Sequence, residues 1–97
     1  MALQDADRLE ALGSIGIMRC YSTGVRMGTK YFDPEDPWAK GRELDDSAFS
    51  LDHFFTKLFR LPETMNTLAG REEAGLRLRP MQAFMDSLER ELGEMRA

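Results

Sequence analysis

The sequence predicts an all-α fold with three to five helices and one long loop at about residues 28–46. Two observations carry this prediction. Apolar residues recur at helical spacing in three stretches, at about residues 9–18, 51–59 and 74–95. Between the first two stretches, glycines and prolines punctuate a polar segment that is typical of loop. With 97 residues, the chain is expected to form a single domain, residues 1–97.

Composition and charge indicate which kinds of partner to expect. Hydrophobic residues make up 42% and charged residues 31%, a balance typical of a folded core. The net charge is −4 and the 13 basic residues are scattered, so we expect no nucleic-acid polymer as partner. No apolar run approaches the ~20 residues of a membrane helix, so we expect no membrane span. The single cysteine, Cys20, is expected to be a small buried hydrophobe in a reducing, cytoplasmic setting.

The first helix is predicted over residues 5–20, with an end near residues 21–24. Its apolar stripe consists of Leu9, Leu12, Ile15 and Met18, which recur every three residues. Gly13 and Gly16 within it have two explanations, either close approach of another helix or a substrate, or simple weakening of a fraying helix.

The middle of the chain is predicted to contain the long loop followed by a helix. Tyr31, Phe32 and Trp38 are too large to leave in water, so part of the loop should fold back on the helices. Ser47 or Ser50 can cap the helix that follows, which carries apolar residues from 51 to 59. Proline suits a first turn, so a new short helical turn is expected at residues 61–65.

The last helix shows the clearest periodicity. Residues 66–67 are expected to cap it, and its seam consists of Ala74, Leu78, Met81, Met85, Leu88, Leu92 and Met95. Pro80 predicts a kink or a break into two helices. The seam over residues 74–95 favours core packing, with an oligomerisation or partner-binding seam as the alternative.

Few residues offer chemistry. Asp5 and Asp7 are separated by about 200° around a helix and do not form a carboxylate dyad. Both are also favoured in a first turn by the helix dipole. His53 is the only histidine, so a cluster of two or three histidines cannot form within one copy. Its role stays open, and no catalytic residue is assigned.

Four segments in the same order resemble the HD-domain metal-dependent phosphohydrolases. Residues 5–19 resemble that family's "DADRLDAIGAIGIAR" segment, 31–35 its "LYDPE" loop, 53–58 its "HFYEKL" segment and 65–71 its "MNTETGKK" segment. Arg77, Met81 and Phe84 fall where the family's last helix has its "RHEFMEEF" pattern. The resemblance implies the C-terminal half of an all-helical HD-like domain.

The resemblance also implies a site. The family's histidine, histidine-aspartate pair and distant aspartate hold one or two divalent metals of the Mn, Mg or Fe class, which activate water against a phosphate ester. Only the last aspartate is present, and the "ADRL" register places it at Asp7. The other ligands would precede this segment, where the sequence has only residues 1–4. We therefore expect tight metal binding and hydrolysis not to occur on this chain alone.

Three hypotheses follow. The first is a truncated or degenerate HD-family phosphohydrolase, silent alone, whose intact form would act on a nucleotide or another phosphorylated small molecule. The second is a helical module that self-associates or binds a partner through residues 74–95. The third is an enzyme completed by another polypeptide that supplies the missing ligands.

Overall fold

The computed structural model describes residues 2–96 and confirms the all-α prediction. Four α-helices are present in that range: α1 (Ala2–Leu9), α2 (Gly13–Met27), α3 (Ser50–Thr56) and α4 (Leu68–Leu92). A 3-10 helix, Leu58–Thr64, connects α3 to α4. Residues 28–49 form the long loop. None of the helices described between residues 2 and 96 is long and apolar enough to cross a membrane.

The first predicted helix is in fact two helices. The amides of Ala11 and Leu12 bond back three residues, to Arg8 and Leu9, which tightens and ends α1. Gly13 then takes φ +75°, a left-handed conformation that turns the chain and buries Leu12. The prediction of one helix over residues 5–20 was therefore wrong, because it treated Gly13 as interior to a helix.

This break also changes which side of α2 faces the core. Ile15 and Met18 are 60% and 66% exposed, so the predicted stripe was wrong at these positions. Gly16 is buried instead, since a Cβ there would lie 2.3 Å from the carbonyl oxygen of Ala11. The helix continues past the predicted end and stops at Gly28, whose φ of +81° makes a left-handed cap.

The long loop folds back as expected, and a buried ion pair fixes it. Asp52 on α3 is 1% exposed and accepts from Arg42 at 2.5 Å and from the backbone N–H of Asp45 at 2.8 Å. The hydrogen bond to Asp52 raises the pKa of Arg42 above its ordinary value. Trp38 is 6% exposed, whereas Tyr31 is 59% exposed, so only part of the predicted aromatic set is buried.

A helix and a short turn follow the loop as predicted, but α3 ends at Thr56, and Leu58 and Phe59 belong to the 3-10 helix instead. The predicted cap also differs. Phe49 occupies the N-cap of α3 and no side chain caps it, so neither Ser47 nor Ser50 has the predicted role. Ser50 is already helical, and its hydroxyl instead pairs with Thr29 at 2.8 Å. Pro62 lies inside the 3-10 helix, which confirms a short separate turn.

The last helix is capped as predicted, because the Thr67 hydroxyl accepts from the Gly70 amide at 2.9 Å. Pro80 does not break it: α4 is continuous to Leu92. A proline has no N–H to donate to the carbonyl group one turn earlier in the helix. Pro80 is exposed, so water can hydrogen-bond to that carbonyl group instead.

The core lies where α4 crosses the other helices. Ala74, Met81 and Met85 of the seam are fully buried together with Leu51 and Phe54 of α3. These seam residues thus pack against other helices of the same chain, as the core-packing interpretation predicts. Met95 lies beyond the end of α4 at Gly93 and is 74% exposed, so the predicted seam is three residues too long.

Candidate functional site

Asp5 on α1 is committed to holding the start of α4. One carboxylate oxygen accepts from the Asn66 amide at 2.8 Å, and the other accepts from the Thr67 amide at 2.9 Å and the Thr67 hydroxyl at 2.5 Å. Asp5 is 3% exposed. Gly70 leaves room for it, because a Cβ there would lie 2.4 Å from the carboxylate. This carboxylate therefore joins α1 to α4.

These bonds stabilise the charged form of Asp5. The backbone bond from Asn66, followed by the hydroxyl of Thr67, lowers the pKa of Asp5 from 3.8 to about 2. With its oxygens occupied by four donors, Asp5 has little capacity left for a ligand.

Asp7, the carboxylate that the family resemblance assigns to the metal, is in the opposite situation. It is exposed, and among residues 2–96 no side chain or amide donates to its carboxylate. The separation from Asp5 is the one that helical geometry predicts, since two residues turn the chain by about 200°. Asp7 therefore presents a free carboxylate on the outer side of α1.

The junction of α1 and α2 is held by two arginines. Arg77 of α4 donates to the carbonyl of Leu9 at 2.6 Å, and its side chain passes 3.4 Å from where a Cβ of Gly13 would be. Arg19 of α2 donates from Nη1 to the carbonyl of Glu10 at 3.2 Å and lies 3.4 Å from the Glu10 carboxylate. Of the two explanations for the glycines, Gly13 supports close approach of another helix.

A groove of about 350 Å³ lies between α2, α3 and the end of the loop. We name it the α2–α3 groove. Its lining includes Gly16, Arg19, Cys20, Thr23, Asp46 and His53. The sequence did not predict this groove, because its two sides come from segments about 30 residues apart.

His53, whose role the sequence left open, belongs to the rim of this groove. Its Nδ1 lies 3.1 Å from Oδ2 of Asp46, which also accepts from the Thr56 hydroxyl at 2.8 Å. The hydrogen bond from Thr56, then that from His53, lowers the pKa of Asp46 below its usual range.

Cys20 is half-buried in the groove and its Sγ lies 3.6 Å from the carbonyl oxygen of Ser50. Burial raises the pKa of the thiol to about 11, so the thiolate that a nucleophile needs is scarce at neutral pH. The expectation of a small hydrophobe agrees with this environment better than a nucleophilic role.

The residues present do not fit a divalent metal by themselves. Within residues 2–96, no three or more His, Cys, Asp or Glu side chains lie together as a metal site requires. A hard divalent cation takes about six oxygen or nitrogen ligands, and Asp7 supplies a single carboxylate. His53 pairs with Asp46 on α3 and is not part of a cluster with Asp7.

Comparisons with known proteins show what this chain resembles in sequence and in fold. No family model matches the chain. Bacillus subtilis YpgQ, an uncharacterised protein, is 37% identical over 92 residues, which are 94% of this chain and 38% of YpgQ. The chain therefore resembles YpgQ over most of its own length.

Two solved structures, one of them of an HD-superfamily hydrolase, resemble this chain in sequence and in fold. The crystal structure of YpgQ in complex with ADP matches with a TM-score of 0.75 and 35% identity, over 91% of this chain and 40% of that one. The structure of an HD-superfamily hydrolase from Bacillus thuringiensis matches with a TM-score of 0.75 and 39% identity, over 95% and 45% of the two chains. The chain thus spans 38% to 45% of the length of these relatives.

Proposed function

We propose that this chain is one part of an HD-type phosphohydrolase, in which Asp7 is one ligand of a divalent metal of the Mn, Mg or Fe class. The observation that carries the proposal is the contrast between the two aspartates of α1. Asp5 is buried and fully bonded, whereas Asp7 is exposed and uncommitted at the position that the family resemblance assigns to a ligand.

The remaining ligands come from outside the described residues, either from the same polypeptide or from another one. This follows from the poor fit of residues 2–96 to a metal, since one carboxylate holds a divalent cation weakly. We therefore propose that the chain is catalytically silent alone. The substrate class is a nucleotide or a related phosphate ester, which the crystal structure of YpgQ with ADP supports.

An exposed apolar surface supports the idea of a missing part. Ile15, Met18 and Val25 lie on one side of α2 and are 60%, 66% and 60% exposed. Such a stripe in water is typical of a surface that another element covers. The relatives are more than twice as long as this chain, so each has further sequence that can pack there.

The test is reconstitution with the ligand-bearing part. The chain is co-expressed with the portion of YpgQ that it does not match, and Mn-dependent release of phosphate from ADP is measured. We expect activity from the pair and none from either part alone. Asp7→Asn abolishes this activity, whereas Glu63→Gln, a change at another exposed carboxylate, leaves it unchanged. Activity that survives Asp7→Asn in a correctly assembled pair contradicts the proposal.

Two further readings test where the other ligands lie. The first is the coding sequence on the order of 100 codons upstream of Met1, roughly part of a domain of ordinary size. The second is the intact mass of the protein in its source cell. An in-frame His and His-Asp pair, present in the cellular protein, supports ligands in the same polypeptide; their absence supports ligands supplied by another one.

A helical partner-binding module is the second candidate, although through a different surface than the seam at residues 74–95. The seam residues Ala74, Met81 and Met85 are buried in the core, whereas Ile15, Met18 and Val25 of α2 are exposed. Light scattering after size exclusion distinguishes the two proposals. A defined homo-oligomer that Met18→Glu dissociates favours self-association, and a monomer that binds the unmatched part of YpgQ favours the phosphohydrolase.

A further inference from the structure

We propose that the exposed face of α2, together with an aromatic groove beside it, docks an amphipathic helix that carries carboxylates along one edge. The occupant is a helix from the part of an HD-type domain that this chain does not span, so the inference rests on the proposed function. Three features of the face support it: the spacing of its residues, the groove next to them, and the charge along its edges.

The exposed residues of α2 have the spacing of a contact between two helices. Ile15, Met18, Ser22 and Val25 follow one another by steps of three, four and three residues, and all four are exposed. These steps are those of the a and d positions of a heptad repeat. We name these four residues the α2 row. It extends along about 15 Å of helix, so a second helix can lie against it over its whole length.

A groove of about 500 Å³ lies beside the α2 row, between α2, α4 and the long loop. Its wall is largely aromatic and includes Tyr21, Tyr31, Phe32 and Phe84. The ring of Tyr21 packs edge-on against those of Tyr31 and Phe84, with centroids 5.5 Å and 6.1 Å apart. Such contacts hold the wall in place. A large apolar side chain of the docked helix fits this groove as an anchor.

The two edges of this face differ in charge. Arg19 and Arg26 each directly follow an apolar residue of the α2 row, which places both at the e position, where heptads form ion pairs with a partner helix. Arg19 makes one exposed pair with Glu10 at 3.4 Å, and Arg26 makes none within residues 2–96. On the α4 side, Glu91 shares a helix face with Leu88. The docked helix therefore carries its carboxylates on the edge that faces the two arginines.

The same charges argue against a second copy of this chain as the occupant. Neither an Asp nor a Glu occurs in α2, so two α2 helices facing each other would bring only arginines to their shared edges. Like charges placed together at an interface weaken binding. The matched part of YpgQ is 38% of that protein, so more than half of such a relative lies outside the match and can supply the helix.

Two designed peptides of three heptads test the chemistry of this face. Both carry leucine at a and d, and they differ only in having Glu or Lys along one edge. Fluorescence anisotropy of the labelled peptides measures their binding to the chain. We expect the Glu peptide to bind at least about fivefold more tightly than the Lys peptide. The difference should shrink at about 1 M salt, where exposed charges are screened.

Variants of exposed residues provide matched controls. Arg26→Glu should weaken the Glu peptide and strengthen the Lys peptide, each by at least about threefold. Arg79→Glu makes the same change of charge, but Arg79 is five residues from Phe84 and faces another side of α4, so it leaves both within about twofold. Met18→Gln should weaken both peptides at least about fivefold, whereas Thr23→Gln, on the side of the α2–α3 groove, changes them by no more than about twofold. Circular dichroism checks that all four variants stay folded.

The occupant is tested by competition. The portion of YpgQ that this chain does not match should displace the labelled Glu peptide. Equal binding of the two peptides, or a homodimer of the chain alone that Met18→Gln dissociates, overturns the inference.

The proposed function fails separately, because it is read from phosphate release. A YpgQ portion that displaces the peptide but gives an inactive pair contradicts the metal assignment of Asp7 and leaves the docking face standing. An active pair in which the peptide is not displaced overturns the docking face and leaves the proposed function standing.

Discussion

Two neighbouring residues of α3, Asp52 and His53, belong to ion pairs in contrasting environments, one buried and one at the surface. Asp52 faces inward, where Arg42 and the backbone of Asp45 occupy its oxygens and fix the long loop. His53, the next residue, lines the groove and pairs at 3.1 Å with Asp46, whose carboxylate is exposed. The inner pair has a structural role, because the Asp52 carboxylate is buried and both of its oxygens accept hydrogen bonds from within the chain.

The same difference separates Asp5 from Asp7 on α1. Both aspartates belong to one short motif, and both are acidic residues in the first two turns of a helix. Asp5 joins α1 to α4, whereas Asp7 is exposed and its carboxylate accepts from no donor in residues 2–96. Spare hydrogen-bonding capacity, more than membership of a motif, therefore distinguishes the functional candidates from the structural ones. Substitutions at Asp52, Asp5 and Asp7 test that distinction, and one at Gly24 tests the packing of α2 on α3; the largest expected effect comes first.

Removal of Asp52 should be the most destabilising change. Asp52→Ala leaves the Arg42 guanidinium without its main partner and releases the loop, so we expect a loss of about 3–5 kcal/mol in the free energy of unfolding. Urea unfolding followed by circular dichroism measures it. The double variant Asp52→Ala/Arg42→Ala should lose less than the sum of the single losses, since it buries no unpaired charge. Additive losses would show that the pair is not coupled.

Asp5→Ala should be the next most harmful, because it frees the Asn66 and Thr67 amides at the start of α4. We expect the melting temperature to fall by at least about 5 °C. The pKa of Asp5 is depressed to about 2, so its stabilisation is present above its ordinary pKa of 3.8 and is lost as the pH falls towards 2. The variant should therefore show a shallower loss of stability between pH 4 and 2 than the wild type. Parallel acid titrations of the melting temperature would contradict this account.

Gly24→Ala tests the contact between α2 and α3 beneath the groove. Its Cβ would lie 2.1 Å from the Ser50 hydroxyl and 2.5 Å from that of Thr29, which bond to each other. We expect a loss of about 1–3 kcal/mol on unfolding. Gly75→Ala is the control, because nothing lies within 4 Å of its Cβ and alanine favours a helix by about 0.5–1 kcal/mol. Opposite signs for the two variants confirm the prediction, and equal signs reject it.

Asp7→Asn should have the smallest effect on folding. The side chain is exposed and has no donor among the described residues, so the free energy of unfolding should change by no more than about 0.5 kcal/mol. Chemical unfolding of this variant beside Asp5→Asn measures the contrast directly. A large loss from Asp7→Asn would give this carboxylate a structural role and remove the distinction between the two aspartates.

Local signals in the sequence predicted much of the fold. The short turn at Pro62 and the Thr67 cap depend on neighbours within a few positions, and both are confirmed. Of the predicted seam of α4, Ala74, Met81 and Met85 are buried, whereas Met95 is exposed. The break at Gly13 and the side of α2 that faces the core were missed. A glycine inside an apolar pattern is compatible with a helix interior and with a left-handed residue that starts a new helix, and only the packing of Leu12 and Arg77 selects between them.

The sequence by itself determined the all-α class, the length of the loop and the family resemblance that singles out Asp7, because these depend on local spacing and residue type. Only the tertiary structure decided which aspartate of α1 is free and that His53 belongs with Asp46 at a groove. Hydrogen-bond donors and burial come from residues distant in the chain, such as Asn66 for Asp5. The capacity of a carboxylate to accept further hydrogen bonds thus depends on the residues around it. Folding brings those residues together.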